Sequence, residues 1–427
     1  MVISRRIRPL VLFCAVWILI LANSWTVAVG GTGASDESLL AQIRDSVVRN
    51  GFENVRVFRL GSAIQVEYEN RIFRNELVAA GVVAHILSDR AAEDQDLVLI
   101  PLNRGLPMCA IHLSNSEYKN FISGKIANRE FADRLKIEEY SRQAGQAGGP
   151  SSFRKLDFTV SPGHTIQLGN YEDSFKFYGY LLPDVSTYLW PGAALRLQLL
   201  VPVYDEIGMY TKEVRLSRLS LNQVVRLPAG GLASVSVGAF EPSRYGVSSE
   251  AGYFLMNRRF WVGAGLDYTG LLLYQNKEWQ YSKKTVRTDR AFIYYFLPWL
   301  DFSVGVQYAD YLMGDHGWML DVARTVGDFK IGIYAARTDM DKFGGFRLTI
   351  PLSPMRQPAA RRVRLNWPSS YNWNYRMTSE TVTYDVPLAT GQTISSGFEL
   401  IDFQKKLVTS YIRNNVGWWK KVDKHVK

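Results

Sequence analysis

Between Phe153 and Trp367 apolar side chains recur at every second residue, and this constrains the fold more than any other feature of the chain. In the stretch Asp301 to Asp310, Phe302, Val304, Val306 and Tyr308 alternate with Ser303, Gly305, Gln307 and Ala309. Trp261 to Tyr268 repeats the pattern, with Val262, Ala264, Leu266 and Tyr268 against Gly263, Gly265 and Asp267. Phe346, Leu348, Ile350 and Leu352 likewise oppose Gly345, Arg347 and Thr349. A period of two gives a strand one apolar face and one wet face. Many segments reach the roughly 9–11 residues of a tilted membrane-spanning strand, whereas strands of soluble proteins peak near 5–6. Aromatics cluster at segment ends, as Tyr188 with Trp190, Phe296 with Trp299, Tyr308 with Tyr311, and Trp367 with Tyr371. Such clusters suit two interfacial girdles. The opposite face is too rich in Gly, Ser, Arg and Asp for a sandwich core. The pattern predicts a mainly β chain: an antiparallel transmembrane β-barrel of about 14 strands (roughly 12–16) over 153–367, closed so that no edge lies in lipid.

The segments before the barrel read differently. Arg5, Arg6 and Arg8 precede an apolar run from Leu10 to Ala22, then small and polar residues. This is the layout of a cleaved secretory signal peptide over 1–30, and the run is short for a spanning helix. Export of a barrel implies the outer membrane of a Gram-negative bacterium. Cys14 falls in the leader. The one remaining cysteine, Cys109, lies in a strand-like run and reads as a small buried apolar residue. Residues 36–141 read as a small α/β domain facing the periplasm. A helix starts at Asp36-Glu37-Ser38 and stops at Asn50-Gly51; a hairpin turns at Gly61-Ser62; a second helix starts at Asn70. The hairpin-then-helix order recurs, with a turn at Asn103-Arg104-Gly105 and a helix from Ser114. Two such units build one mixed sheet covered by helices. Residues 142–152 read as a Gly/Ser/Gln linker. Ser161-Pro162-Gly163, Pro228 to Gly231, Met313 to Gly317 and Gly327-Asp328 mark turns, and Gln275 to Arg290 a long extracellular hairpin. In the tail, 368–427, Thr381 to Tyr384 reads as one more strand, and Phe398, Ile401, Phe403, Leu407 and Tyr411 fit a helix. The tail packs on the barrel rim, or it presents Trp418-Trp419-Lys420-Lys421 to polymer or headgroups.

Charge narrows the partners. The net charge is +10. Residues 36–140 carry 13 Lys/Arg against 16 Asp/Glu, and the chain from 142 onward carries 34 against 24. An exported basic chain has little occasion to meet nucleic acid, so an acidic extracellular polysaccharide and outer-membrane lipid are the expected partners. Arg196, Arg215, Arg324 and Arg347 are the candidate polymer contacts in the lumen. No cofactor, metal or catalytic residue is expected. Gly263-Ala264-Gly265 followed by Gly270 opens no helix, so it is no dinucleotide loop. His85, His112, His164, His316 and His425 are scattered.

Several stretches carry a family resemblance. Ser217 to Gln223 with Arg226-Leu227-Pro228, Gly238-Ala239-Phe240, Arg244 to Glu250, Tyr295 to Trp299, Tyr311 to Gly317, Phe346 to Leu352, and Tyr68-Glu69-Asn70 with Phe73-Arg74 occur in an order similar to that of the YjbH-like (GfcD-like) exopolysaccharide and capsule proteins. The resemblance implies a role in making or exporting extracellular polysaccharide at the outer membrane, beside other export components. It carries over no catalytic residue. Family members have a further barrel-like half upstream, so this chain resembles the C-terminal half; the missing N-terminal half is a separate polypeptide or absent. The leading expectation is a non-enzymatic export or assembly barrel. The alternatives are a structural or docking barrel with a plugged lumen, and an outer-membrane enzyme that modifies the polymer.

Overall fold

The computed structural model describes residues 34–140, 149–168, 175–208, 213–275, 278–312, 314–359, 361–378, 391–404 and 406–426. The leader and the strand expected at Thr381–Tyr384 lie outside them. The described chain is mainly β, in two sheets of 6 and 15 strands.

The first sheet belongs to the N-terminal module. Helix α1 (Ala34–Arg49) ends at Asn50-Gly51, where Gly51 takes φ +96°. Strands β1 (Glu53–Leu60) and β2 (Ala63–Glu69) form the expected hairpin. Helix α2 (Glu76–Ser88) follows, then β3 (Asp96–Asn103), β4 (Leu106–Pro107), β5 (Ala110–Ser114), α3 (Asn115–Ile122), α4 (Asn128–Arg134) and β6 (Lys136–Glu138). The order is β1-β2-β3-β5-β6 with β4 on β3; β2 and β3 run parallel and the other pairs antiparallel. This is the mixed sheet that the repeated unit predicts. The start of α2 is corrected. Its N-cap is Asn75, whose side chain accepts from Leu77 N, whereas Asn70 accepts from Phe73 N at 2.8 Å and turns the chain one step earlier. Nearly every residue of α2 is buried. A helix apolar all round needs cover on every side, and part of that cover comes from the C-terminal tail.

Cys109 is fully buried, and burial pushes its thiol up to about 11. It will therefore resist iodoacetamide at neutral pH and label fully on unfolding in urea; labelling of the folded protein at the rate of a free thiol would refute this. The expected linker is shorter than its composition suggests. Ser152 is fully buried and donates to Glu69 at 2.7 Å, so the last residue of the expected linker belongs to the module's polar core, while 149–151 stay exposed.

The second sheet contains β7 (Leu156–Leu168), β8 (Phe175–Tyr188), β9 (Ala193–Asp205), β10 (Arg215–Arg226), β11 (Gly231–Phe240), β12 (Arg244–Leu255), β13 (Phe260–Gln275), β14 (Glu278–Tyr281), β15 (Val286–Phe296), β16 (Phe302–Asp310), β17 (His316–Val326), β18 (Phe329–Thr338), β19 (Lys342–Pro351), β20 (Val363–Asn366) and β21 (Ser370–Thr378). From β7 to β19 successive long strands pair antiparallel, β21 pairs antiparallel with β19, and β14 folds back on the projecting end of β13. Two boundaries differ from expectation. The sheet does not stop at Trp367 but continues through β21. Ser161-Pro162-Gly163 is not a turn. It lies inside β7, where a Cβ on Gly163 would meet the Tyr180 ring at 2.1 Å.

The last strands return to the first. β20 runs parallel to β7, with Val363 opposite Leu156 and Asn366 opposite Thr159. Tyr371 on β21 keeps that offset: it hydrogen-bonds His164 on β7, the rings stacking at 5.4 Å.

The alternation sorts as the sequence predicts. On β18, Ile331 and Ile333 are 55% and 64% exposed, while Tyr334 between the strand's outward positions is 6% exposed. On β10, Leu219 and Leu221 are exposed and Ser220 and Asn222 are fully buried. One face of the sheet is thus apolar and bare; the other is polar, covered at Ser220 and Asn222 on β10 but open at Arg347 on β19 and Asn372 and Asn374 on β21. No helix among the described residues is long and apolar enough to cross a membrane.

Candidate functional site

The polar face of the large sheet gathers the charged side chains, because alternation places every second residue of each strand on it. Arg290 on β15 binds Asp267 on β13 at 2.7 Å and Glu250 on β12 at 2.9 Å. Arg196 binds Asp184 at 2.5 Å, and Arg218 binds Glu241 at 2.7 Å. Arg347 binds Asp321 at 3.0 Å and lies over the Tyr334 ring.

Three of the four arginines expected to line a lumen lie on this face. Arg196 and Arg347 are there by their contacts, and Arg215 by its register opposite buried Leu200. Arg324 is not. It pairs in register with Phe302 and lies against that ring at 5.5 Å, on the apolar face. The expectation overlooked the phase of β17, where Trp318, Leu320, Val322 and Arg324 share one face. The long aliphatic stem of arginine fits an apolar face at its edge. Arg196 and Arg347 are matched by carboxylates, so at these positions the positive excess is not presented as bare charge.

What covers the polar face across β9 to β11 is the tail. β21 ends at the far end of the sheet, away from the module. The described tail resumes there with Gly391 packed against the Phe343 ring, and Gln392 O accepts from Leu312 N at 3.1 Å. Ile394 packs with Phe240 and Leu312. Ser395 and Glu241 exchange both backbone hydrogen bonds. Midway along the strands, Ser220 Oγ donates to Ser396 O at 2.8 Å, and Arg196 Nη1 to Gly397 O at 3.2 Å. At the module end, Phe398 lies 4.5 Å beneath the Arg104 guanidinium, and Asn103 Nδ2 donates to Phe403 O at 2.8 Å. The tail then forms α5 (Leu400–Phe403) and α6 (Thr409–Asn415). The single helix expected from Phe398 to Tyr411 is broken: Lys406 between the two takes φ +63°.

The tail's end closes the circuit on the module. Asn414 and Asn415 donate to Asp301 at 2.7 and 2.8 Å. Trp419 is fully buried and donates from Nε1 to Leu77 O at 2.8 Å. The expectation that Trp418 and Trp419 face polymer or headgroups is therefore corrected for Trp419, and packing at the sheet's end describes only the last third of the tail. One apolar core joins the module, the tail and the sheet. It holds Ile43, Leu77 and Phe131 with Leu400, Leu407 and Trp419, and with Val224, Trp261 and Phe292.

Polar contacts seal the same junction. Arg71 joins Glu53 and Asp157. Arg74 binds Asp328 at 2.7 Å, and Arg226 binds Glu139 at 2.7 Å. Arg258 donates to Gln404 at 2.6 Å and to Leu407 O at 3.0 Å. Sequence reasoning missed Arg104, Arg218, Ser220 and Arg290. The last three were accessible from the same alternation that found Arg196, but Arg104 was not, because it sits on a module turn. Among the described residues no group of three or more His, Cys, Asp or Glu is placed to hold a metal ion.

No curated protein and no solved structure matches the chain. A family profile does. YjbH, described as exopolysaccharide biosynthesis protein YbjH, matches residues 26–370, most of the chain. The chain belongs to the YjbH family of exopolysaccharide biosynthesis proteins.

Proposed function

We propose that this protein is a non-catalytic outer-membrane β-barrel that takes part in exporting or assembling exopolysaccharide, with residues 36–141 as a periplasmic module. One observation carries the reading: a long antiparallel sheet with a bare apolar face, in a chain of an exopolysaccharide family. A soluble protein would hide such a face, whereas lipid accepts it. Closure is supported by the seam. β21 follows β20 after three residues, and His164–Tyr371 extends the β20–β7 register. On this reading the first and last long strands run parallel, so the barrel starts at the module end and finishes at the far end. The polar face then lines the lumen.

The plugged form is the one favoured here, because the tail runs along that face from the far end to the module. The partners on this reading are extracellular polysaccharide, outer-membrane lipid and other export components. Residues 1–30 serve as the cleaved signal. Deleting the gene should lower the amount of surface polysaccharide or shorten it, assayed by extraction and gel sizing. Unchanged amount, length and location would defeat the proposal. In fractionation, the protein should resist carbonate extraction from outer membranes and migrate faster unheated than boiled, as closed barrels do.

A further inference from the structure

We propose that Arg196, Arg218 and Ser220 form a saccharide site inside the barrel, occupied in this structure by tail residues 395–397. The inference rests on the barrel reading above and names the ligand chemistry and the regulation of its lumen.

Every wall group here gives hydrogen bonds to an oxygen of the tail: Ser220 Oγ to Ser396 O at 2.8 Å, Arg196 Nη1 to Gly397 O at 3.2 Å, Arg218 Nη2 to Ser395 Oγ at 3.4 Å. Acceptors stand beside these donors. Asp184 takes Arg196 and Gln198, and Glu241 takes Arg218 and Ser217. Sugar hydroxyls both donate and accept, so they suit a patch of paired donors and acceptors. Two arginines face two carboxylates, which fits hydroxyls better than a run of negative charge. Arg218 is 7% exposed, and its Nε has no hydrogen-bond partner among the described residues. The occupant is seated closely: a Cβ on Gly397 would lie 2.7 Å from Arg218 Cδ and 3.1 Å from Arg196 Nη1, and its φ is +80°. Residues 395–397 are held mainly by hydrogen bonds, while the tail's apolar anchors flank them, at Ile394 on one side and at Leu400, Leu407 and Trp419 on the other. The stretch can leave the wall without dissolving that anchorage, and a glycan then takes the same donors.

The test uses full-length protein in phosphatidylcholine planar bilayers, with isomaltohexaose as neutral probe and hexagalacturonate as acidic probe. Gly397→Val unseats the stretch and should raise affinity for both probes roughly tenfold over the unchanged protein, read from current block. Adding Arg196→Gln and Arg218→Gln to Gly397→Val should abolish that gain. Leu312→Cys with Ile394→Cys, whose parent side chains touch one residue before the occupying stretch and would pin it to the wall, should show no block when oxidised and regain it when reduced. Equal block in oxidised and reduced protein overturns the proposal, as does equal block with and without the arginines. Block by hexagalacturonate alone overturns the hydroxyl assignment. A protein that never inserts into the bilayer defeats the barrel reading itself; one that inserts and conducts but ignores both probes defeats only this inference.

Discussion

Replacing Trp419 with alanine should cost about 3–5 kcal/mol of stability, the range for truncating a large buried aromatic, and should free the end of the tail. Trp419 is fully buried 342 residues from the Leu77 carbonyl to which its indole donates. Its ring contacts Tyr118 at 6.2 Å and Phe131 at 6.0 Å between centroids. It also lies on Gly81, where a Cβ would stand 2.5 Å from its Cδ1. α2 can be apolar on that side only because the indole covers it. The change should lower the urea midpoint and speed trypsin cleavage after Arg413, since a cost of 3 kcal/mol raises an undocked population roughly a hundredfold. Trp419→Phe should recover part of the packing but not the hydrogen bond. Gly81→Val attacks the same contact from the other side, at about 1–3 kcal/mol for overpacking. Unchanged midpoint and cleavage in Trp419→Ala would show that the tail's end does not hold the module.

Glu69→Ala should be comparably severe, at about 3–5 kcal/mol, because it leaves four donors without their acceptor at about 1–3 kcal/mol for each that stays buried and unpaired. The Glu69 carboxylate is fully buried and receives four donors: Asn54 Nδ2 at 2.5 Å, Ser152 Oγ at 2.7 Å, Arg104 N at 2.7 Å and Gly105 N at 3.1 Å. The last two belong to the two-residue turn between β3 and β4, where Arg104 and Gly105 take φ +50° and +70°. A positive φ at arginine is unfavourable, and such strain persists only where the surroundings enforce it. Glu69 supplies that enforcement. The turn aims the Arg104 guanidinium at Asn222 Oδ1, 2.6 Å away, and over Phe398. Loss of Glu69 should therefore loosen the tail at Phe398 as well as the module. Glu69→Gln keeps one acceptor and sets an amide donor among the others, so it should fall between. The check is urea unfolding together with the accessibility of a cysteine placed at Phe398. A destabilised module with an unaltered tail would separate the two and refute the link through Arg104.

Much of the sheet was legible because alternation is local. Whether Ile331 and Tyr334 fall on opposite faces depends on pleat alone, and the charged phase of each strand points the same way as its neighbours' once register is set. The hairpin-helix repeat of the module was readable for the same reason. What failed were positions whose fate depends on a partner far along the chain. Arg324 is an exception, since its local phase with Trp318 and Leu320 already placed it on the apolar face. Asn70 and Asn75 are both good caps, and contacts to Asp328 and Tyr411 occupy Asn75. Pro162 reads as a turn until Leu181 is seen opposite it.

The tail shows the division most clearly. Its composition marks it as distinct from the strands, and its aromatics promise a contact. Alternation, the repeated hairpin-helix unit and the family stretches carried a two-faced sheet, a two-unit module and membership of an exopolysaccharide family. Only the tertiary structure decided that the tail lies along the polar face, that most of the named arginines there are already matched, and that Trp419 ends in the module. The tail's course and the place of Trp419 rest on carbonyls and packing surfaces some 200 to 340 residues away, and the arginines' carboxylates, 12 and 26 residues off, lie on neighbouring strands whose register sets the pairing; no local period encodes either.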